Sequence, residues 1–323
     1  MITGKKVLIT GGAGFIGTHM AERLAERNEV TLFDVDLQNA LPYSGLAKDV
    51  RVRKVQGDVR NAEALQEEVS RCQILLHYAS ILGVRKVIDN ARDTIDTVLI
   101  GTRNVLEAAR HNPRIERLVN ISTSEVYGNV MDAREGATCS VSTANDARVC
   151  YASSKLAAEH IVWAYHRDFK IPTVIVRPFN IFGPMRKTDN AVGRFAVRAV
   201  AGKDVTLIGD GSQLRSWCYI DDFCDAMMAC IESEKAIGQD FNVGNPVTAV
   251  TIYDLAARTI RLAKSTSKIS TTAHTFSDIG VRAPNSVKAR DLLGYTPKYD
   301  LDAGLLPTIE WYRQHMDDFR DWL

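Results

Sequence analysis

Short apolar runs alternate with helix-length amphipathic stretches through the first half of the chain. KVLIT (residues 6–10), VTLFD (30–34), VRKV (52–55), QILLHYA (73–79), RLVNIS (117–122) and PTVIVRP (172–178) read as strands, each separated from the next by a helix or a loop. Near-continuous apolarity, rather than strict alternation, marks parallel strands covered by helices on both faces. Repeated right-handed crossovers then predict an α/β fold, a Rossmann-type doubly wound parallel sheet with a ligand crevice at the carboxyl ends of its strands.

After Pro178 the pattern loosens. FAVRAVAGK (195–203), YIDDFCDAMMACIES (219–233) and IYDLAARTIRLAK (252–264) predict helices, and VTLI (205–208) and QDFNVGN (239–245) predict strands. The expected division is a dinucleotide-binding domain over 1–177 and a smaller, mainly substrate-binding lobe over 178–323, with elements near 218–247 returning to the sheet. No repeat, low-complexity tract or flexible linker separates them, so the two are expected to fold as one body.

Composition narrows the function classes. At 323 residues, 46% apolar and 24% charged, the chain has the balance of a soluble globular protein. A net charge of +1, with no basic cluster interleaved with aromatics, gives no reason to expect nucleic acid as a partner. No stretch reaches the length of a membrane span, and MITGKKVLITGG runs straight into a strand without a secretory signal pattern, so a cytoplasmic location is expected. The six cysteines form no CxxC pair and the histidines no HExxH, so no metal site is expected and the thiols read as reduced. His77, at the end of an apolar strand, reads as a hydrogen-bonded core residue.

Candidate chemistry begins at LITGGAGFIGTHMAERLAER, where Gly11, Gly14 and Gly17 lie between a strand and an amphipathic helix. Such glycines serve a tight turn, close backbone approach to a pyrophosphate and close helix packing, and the helix N-terminus that includes Phe15 and Ile16 presents free N–H groups to phosphate. Asp34 ends the next strand about 20 residues on, where a carboxylate holds the adenosine ribose hydroxyls and repels a 2′-phosphate. NAD is favoured over NADP. Further along, YASSK (151–155) sets Tyr151 and Lys155 four positions apart, on one face of a helix. That spacing alone also describes a plain solvated helix face.

Its company changes the reading. The glycine loop, GDV (57–59), HYAS (77–80), STSEVYG (122–128), YASSK, RPFNIFGP (177–184), RSWCYIDD (215–222) and FNVGNP (241–246) resemble, in order and over nearly the whole length, the extended short-chain dehydrogenase/reductase family in its nucleotide-sugar epimerase, dehydratase and decarboxylase branch. The resemblance implies that Tyr151 is the general base and acid, Lys155 its electrostatic partner, and Thr123 the hydroxyl that orients the reacting sugar oxygen. It places Asp58 and Val59 against the adenine, and Ala79 and Ser80 along the cofactor channel. Asn180 is expected at the sugar-nucleotide phosphates and Arg215 and Arg282 on the diphosphate, with Tyr127 and Phe182 as packing residues. It also implies a homodimer formed through the helix of TIDTVLIGTRNVLEAARH and the Tyr151 helix. A free phenol has a pKa near 10, so base catalysis near pH 7 needs a downward shift of about 3 units, roughly 4 kcal/mol; a nearby ammonium and the oxidised nicotinamide both act in that sense.

Members of this branch oxidise a sugar hydroxyl, usually at C4, and then diverge. Thr123, Ser124 and Glu125 resemble the decarboxylases acting on UDP-glucuronic acid, which pair Ser and Glu with an arginine corresponding to Arg215. The common 4,6-dehydratases show Thr-Asp-Glu instead, and many 4-epimerases lack the acid at the Glu125 position. The implied activity is therefore UDP-glucuronate decarboxylation, with 4-epimerisation or dehydration as alternatives. Cys150, Trp217 and Asn285 depart from the residues usual at their positions, and Trp217 would reshape the sugar pocket. A non-catalytic NAD-binding protein is the alternative from another class, against which the retention of Thr123, Tyr151 and Lys155 argues.

Overall fold

The structure, a computed structural model, describes residues 2–130, 132–141, 147, 149–273 and 280–323. The first part of the chain runs β1 (Lys6–Thr10), α1 (Phe15–Ala25), β2 (Glu29–Asp34), β3 (Val52–Gln56), α2 (Ala62–Val69), β4 (Ile74–His77), α3 (Val84–Asp89), α4 (Ala91–Arg110), β5 (Arg117–Ile121), α5 (Val149–Phe169) and β6 (Thr173–Pro178). It continues through β7 (Ile181–Phe182), α6 (Ala191–Val200), β8 (Val205–Ile208), β9 (Leu214–Arg215), β10 (Cys218–Tyr219), α7 (Ile220–Glu232) and β11 (Gln239–Val243). The chain then forms β12 (Val250–Thr251), α8 (Ile252–Leu262), β13 (Ile269–Thr272), β14 (Val281–Arg282), α9 (Val287–Leu293) and α10 (Leu301–Gln314).

Seven strands form one parallel sheet in the order β11-β6-β5-β4-β1-β2-β3. The order reverses between β1 and β4, which opens a crevice at their carboxyl ends. Successive residues of each strand face opposite layers. Val7, Ile9, Leu76, Val119, Val174 and Val176 join a core with α1, α6, α7, α8 and α10, whereas Leu8, Leu75, Leu118 and Ile175 pack against α2, α4 and α5. That double burial explains why these strands carry unbroken apolar runs.

Three smaller sheets follow, β10-β7, β12-β9-β14 and β13-β8. In the second, β14 runs parallel to β9 with Arg282 opposite Arg215. A two-residue strand carries no readable period, so the sequence pattern does not reveal this juxtaposition.

Candidate active site

The cofactor end of the crevice is made by backbone. Gly11 turns the chain at φ 68°, and a Cβ there would lie 2.7 Å from the Ala79 amide nitrogen. A Cβ on Gly17 would run into the Gly11 carbonyl and stand 2.7 Å from Gly12 Cα. Gly14 caps α1 without any side-chain hydrogen bond, so the amides of the first turn, at Phe15, Ile16 and Gly17, have no side-chain acceptor there. Asp34 closes this end: its Oδ2 accepts from the Ala13 N–H at 3.0 Å and its Oδ1 from Asp36 at 3.2 Å. Burial raises the Asp34 carboxyl, and those two amides oppose the rise. Ser80 Oγ is buried with no partner among the described residues. A cradle that any side chain would fill, an uncapped helix and an orphaned hydroxyl fit a dinucleotide with its pyrophosphate on α1.

Asp58 and Val59 sit beside this cradle. The Asp58 carboxylate is held by Arg60 (Nη2–Oδ2 2.7 Å), which depresses its pKa, and Arg60 also reaches Asp93 at 3.0 Å. Val59 is buried beneath Gly101, where a Cβ would meet its Cγ2 at 2.6 Å. His77 is satisfied on both ring nitrogens by Thr10 (2.7 Å) and Thr102 (3.1 Å), and burial with Lys155 nearby pushes it to about 3. It is a neutral core residue, as its position in the sequence suggests.

Tyr151 and Lys155 occupy successive turns at the start of α5, beside the residues that follow β5. Thr123 hydrogen-bonds the Tyr151 phenol and also accepts from the Glu125 N–H at 3.2 Å. Lys155 is only 3% exposed, its Nζ donates to the Ile121 carbonyl at 2.7 Å, and burial lowers its pKa to about 8. The phenol itself is pushed up, first by burial and then by Glu125, against the pull of Thr123, Arg186 and Arg282. The expected downward shift therefore does not come from the protein groups alone, because desolvation of a phenolate outweighs the cations around it.

The other end of the crevice, where the sequence leads one to expect the sugar, is made by side chains. Glu125 is met by Arg282 (Nη1–Oε1 3.2 Å) rather than by Arg215, the partner expected from the sequence. Arg282 Nε is buried and without a partner among the described residues. Arg215, on β9 and 6% exposed, donates to the carbonyl of the preceding residue, Leu214, at 2.9 Å. Ser124 is buried. Asn180 adopts a left-handed φ of 43° and its Nδ2 donates to the Ser216 carbonyl at 2.8 Å, so this amide ties the turn before β7 to the approach of β10. Trp217 is buried with its Nε1 unpartnered among the described residues.

One residue outside the sequence reading, Arg186, and one expected only to pack, Tyr127, belong to this neighbourhood. Arg186 lies over the Phe15 ring (5.5 Å to its centroid), donates to the Ile181 carbonyl and acts electrostatically on Tyr151. It follows RPFNIFGP by two positions, and no periodicity marks it. Tyr127 does more than pack: its hydroxyl donates to Asn242 at 2.9 Å and accepts from Arg177 at 2.8 Å.

A doubly wound sheet with a glycine cradle and a Thr-Tyr-Lys group at its crevice defines a dinucleotide-dependent enzyme of the short-chain dehydrogenase type. The sequence pattern of the NAD dependent epimerase/dehydratase family matches residues 7–244, and the chain belongs to that family. It is 32% identical to UDP-N-acetyl-alpha-D-glucosaminuronate decarboxylase of Bacillus cytotoxicus, over 97% of this chain and 99% of the relative. It is 29% identical to the dTDP-D-glucose 4,6-dehydratase of Homo sapiens, over 98% of this chain and 92% of that one. Its fold matches a crystal structure of UDP-glucuronic acid 4-epimerase from Bacillus cereus in complex with UDP-glucuronic acid and NAD, with a TM-score of 0.88 and 27% identity over 96% of this chain and 99% of that chain. The protein is an NAD-dependent enzyme acting on nucleotide sugars. The three relatives between them carry out three different reactions.

Proposed function

We propose that the chain removes the C6 carboxylate of a UDP-linked hexuronate, UDP-glucuronate in the first instance, by way of a 4-ketone. The observation that carries this reading is the Glu125–Arg282 pair beside Tyr151, with a buried serine at position 124. An elimination of the dehydratase kind needs an acid to protonate a departing C6 hydroxyl, and Ser124 is a poor proton donor. A uronate carboxylate needs a cation, which Arg282 supplies along with an N–H that has no partner among the described residues. Because Glu125 offsets that charge, the carboxylate would be held without the strong ground-state stabilisation that would oppose its loss.

NAD, held by the Gly11–Gly17 cradle and Asp34, supplies the hydride acceptor and, while oxidised, a positive charge that lowers the phenol. Tyr151 takes the proton of the C4 hydroxyl, which Thr123 orients, and Lys155 supports the phenolate. In the resulting β-keto acid the C5–C6 bond breaks, carbon dioxide leaves, and the electron pair moves to the ketone oxygen as an enolate. Thr123 and the protonated Tyr151 stabilise that oxygen until a water molecule delivers a proton to C5, which leaves a UDP-linked 4-ketopentose. Arg215 and Asn180 serve the diphosphate side, and Asp58, Val59, Ala79 and Ser80 the cofactor.

The enzyme so read is cytoplasmic and a homodimer through α4 and α5, where Ile95, Ile100 and Phe169 are exposed; among the described residues no helix is long and apolar enough to cross a membrane. Incubation with NAD and, separately, UDP-glucuronate, UDP-N-acetylglucosaminuronate, UDP-glucose and dTDP-glucose, with products followed by NMR, tests the reading. Loss of the carboxylate from a uronate is expected. An intact carboxylate with inverted C4, or a 6-deoxy product, would replace it with epimerisation or dehydration.

A further inference from the structure

Behind Lys155, on the side away from the crevice, lies a chain of buried charges that the reaction as drawn does not use. Glu159 stands one helical turn beyond Lys155 on the same face of α5, as Lys155 stands one turn beyond Tyr151. Glu159 is 2% exposed and Arg177, from β6, 5%. The two form a bidentate pair, Nε–Oε1 at 2.9 Å and Nη2–Oε2 at 2.5 Å. Ser122 donates to the same carboxylate, and its neighbour Ile121 accepts from Lys155. One end of β5 is thus gripped by both charges of the helix. From Arg177 the chain continues to Tyr127 and to Asp240 of β11 (2.8 Å), and from Asp240 to Lys288 of α9 (2.6 Å) at the wall of a surface cavity of about 620 Å³.

We propose that Glu159, fixed by Arg177, is the positioning residue that holds Lys155 protonated and in place beside Tyr151, so that the proton step is set from one turn further along α5. A buried ammonium without a counter-charge loses its proton, whereas one facing a carboxylate keeps it. The other groups around Lys155 do not fill this role. His77 from β4 is neutral, Tyr151 is pushed toward its protonated form by burial, Arg177 carries the same sign of charge as Lys155, and the Asp240 carboxylate is engaged by Arg177 and Lys288. Burial and Glu159 act in opposite directions on Lys155, and the lysine rests at about 8 as their balance. Removing the carboxylate moves that balance downward, and the alkaline limb of any activity that needs the cation moves with it.

This inference rests on the reading of Tyr151 and Lys155 as the proton-transfer pair, and its test is independent of the sugar. In the NAD-loaded protein with labelled lysine side chains, the Lys155 ammonium is titrated by NMR, its resonance being assigned by its loss in Lys155→Met. Glu159→Gln is expected to lower the midpoint by about one unit, and the alkaline limb of turnover on whichever nucleotide sugar is processed is expected to fall by the same amount. Should the orphaned Arg177 prevent folding, Glu159→Gln with Arg177→Met removes both charges, and a smaller downward shift is expected because Glu159 is the nearer group. A Glu159 variant that loses thermal stability but titrates at the wild-type midpoint overturns the proposal and makes the pair merely structural. A Lys155→Met variant that retains full turnover instead overturns the reading of the site, whatever Glu159 does.

Discussion

The two ends of the crevice are built by opposite means. The cofactor end comes mostly from one continuous strand, turn, helix and strand, residues 6–34, and works mostly through backbone: N–H groups, a positive φ and the missing Cβ atoms of Gly11 and Gly17. The end proposed to take the sugar joins Glu125 to Arg282 across 157 positions of sequence and sets Arg282 beside Arg215 through the register of two short strands. A cradle made of backbone binds what all members of a family share. A cluster of side chains on short strands can change one residue at a time, and the diversity of reaction among relatives that keep one fold is expected to lie there.

Four substitutions and one condition separate the two ends. Tyr151→Phe should lower kcat by roughly a thousandfold, within the range for general acid–base catalysis, while NAD affinity measured by fluorescence titration stays near wild type. Gly17→Val should do the reverse, weakening NAD by on the order of a hundredfold as its side chain displaces the Gly11 carbonyl; circular dichroism would confirm a native fold. Arg282→Gln leaves Glu125 beside Tyr151 without its cation and should reduce kcat/KM on a uronate by about fiftyfold, whereas Arg215→Gln should act mainly on the KM for the nucleotide sugar. The mildest effect is that of pH. Lys155 is lowered to about 8, so it is charged below that value and neutral above it. Turnover should accordingly decline as pH rises through 8, by about tenfold one unit higher, and a pH profile of kcat at saturating substrate checks it.

How far the sequence could be read follows the same division. The parallel sheet was legible because burial on both faces leaves unbroken apolar runs, and the glycine cradle with Asp34 because strand, turn and helix are contiguous. The Tyr151–Lys155 pair was legible from helical spacing together with the motifs around it. Arg215 and Arg282, which the structure sets side by side, could both be singled out, but not which of them meets Glu125, since β9 and β14 are too short to show a period. Arg186 lies just past the left-handed residue Met185, in a loop where no pattern points inward. Tyr127 looked like packing because a sequence shows a ring but not where its hydroxyl lies. The upward push on the Tyr151 phenol was hidden for a related reason: charge neighbours can be guessed from spacing, whereas desolvation depends on the whole fold.

The most direct measurement is a single-turnover reaction of the NAD-loaded protein with UDP-glucuronate labelled at C6, following reduced nicotinamide by absorbance and the label by NMR. Formation of reduced nicotinamide together with labelled carbon dioxide is the predicted result. Label retained in the sugar with C4 inverted, or carbon dioxide released with no reduced nicotinamide at any time, would contradict it.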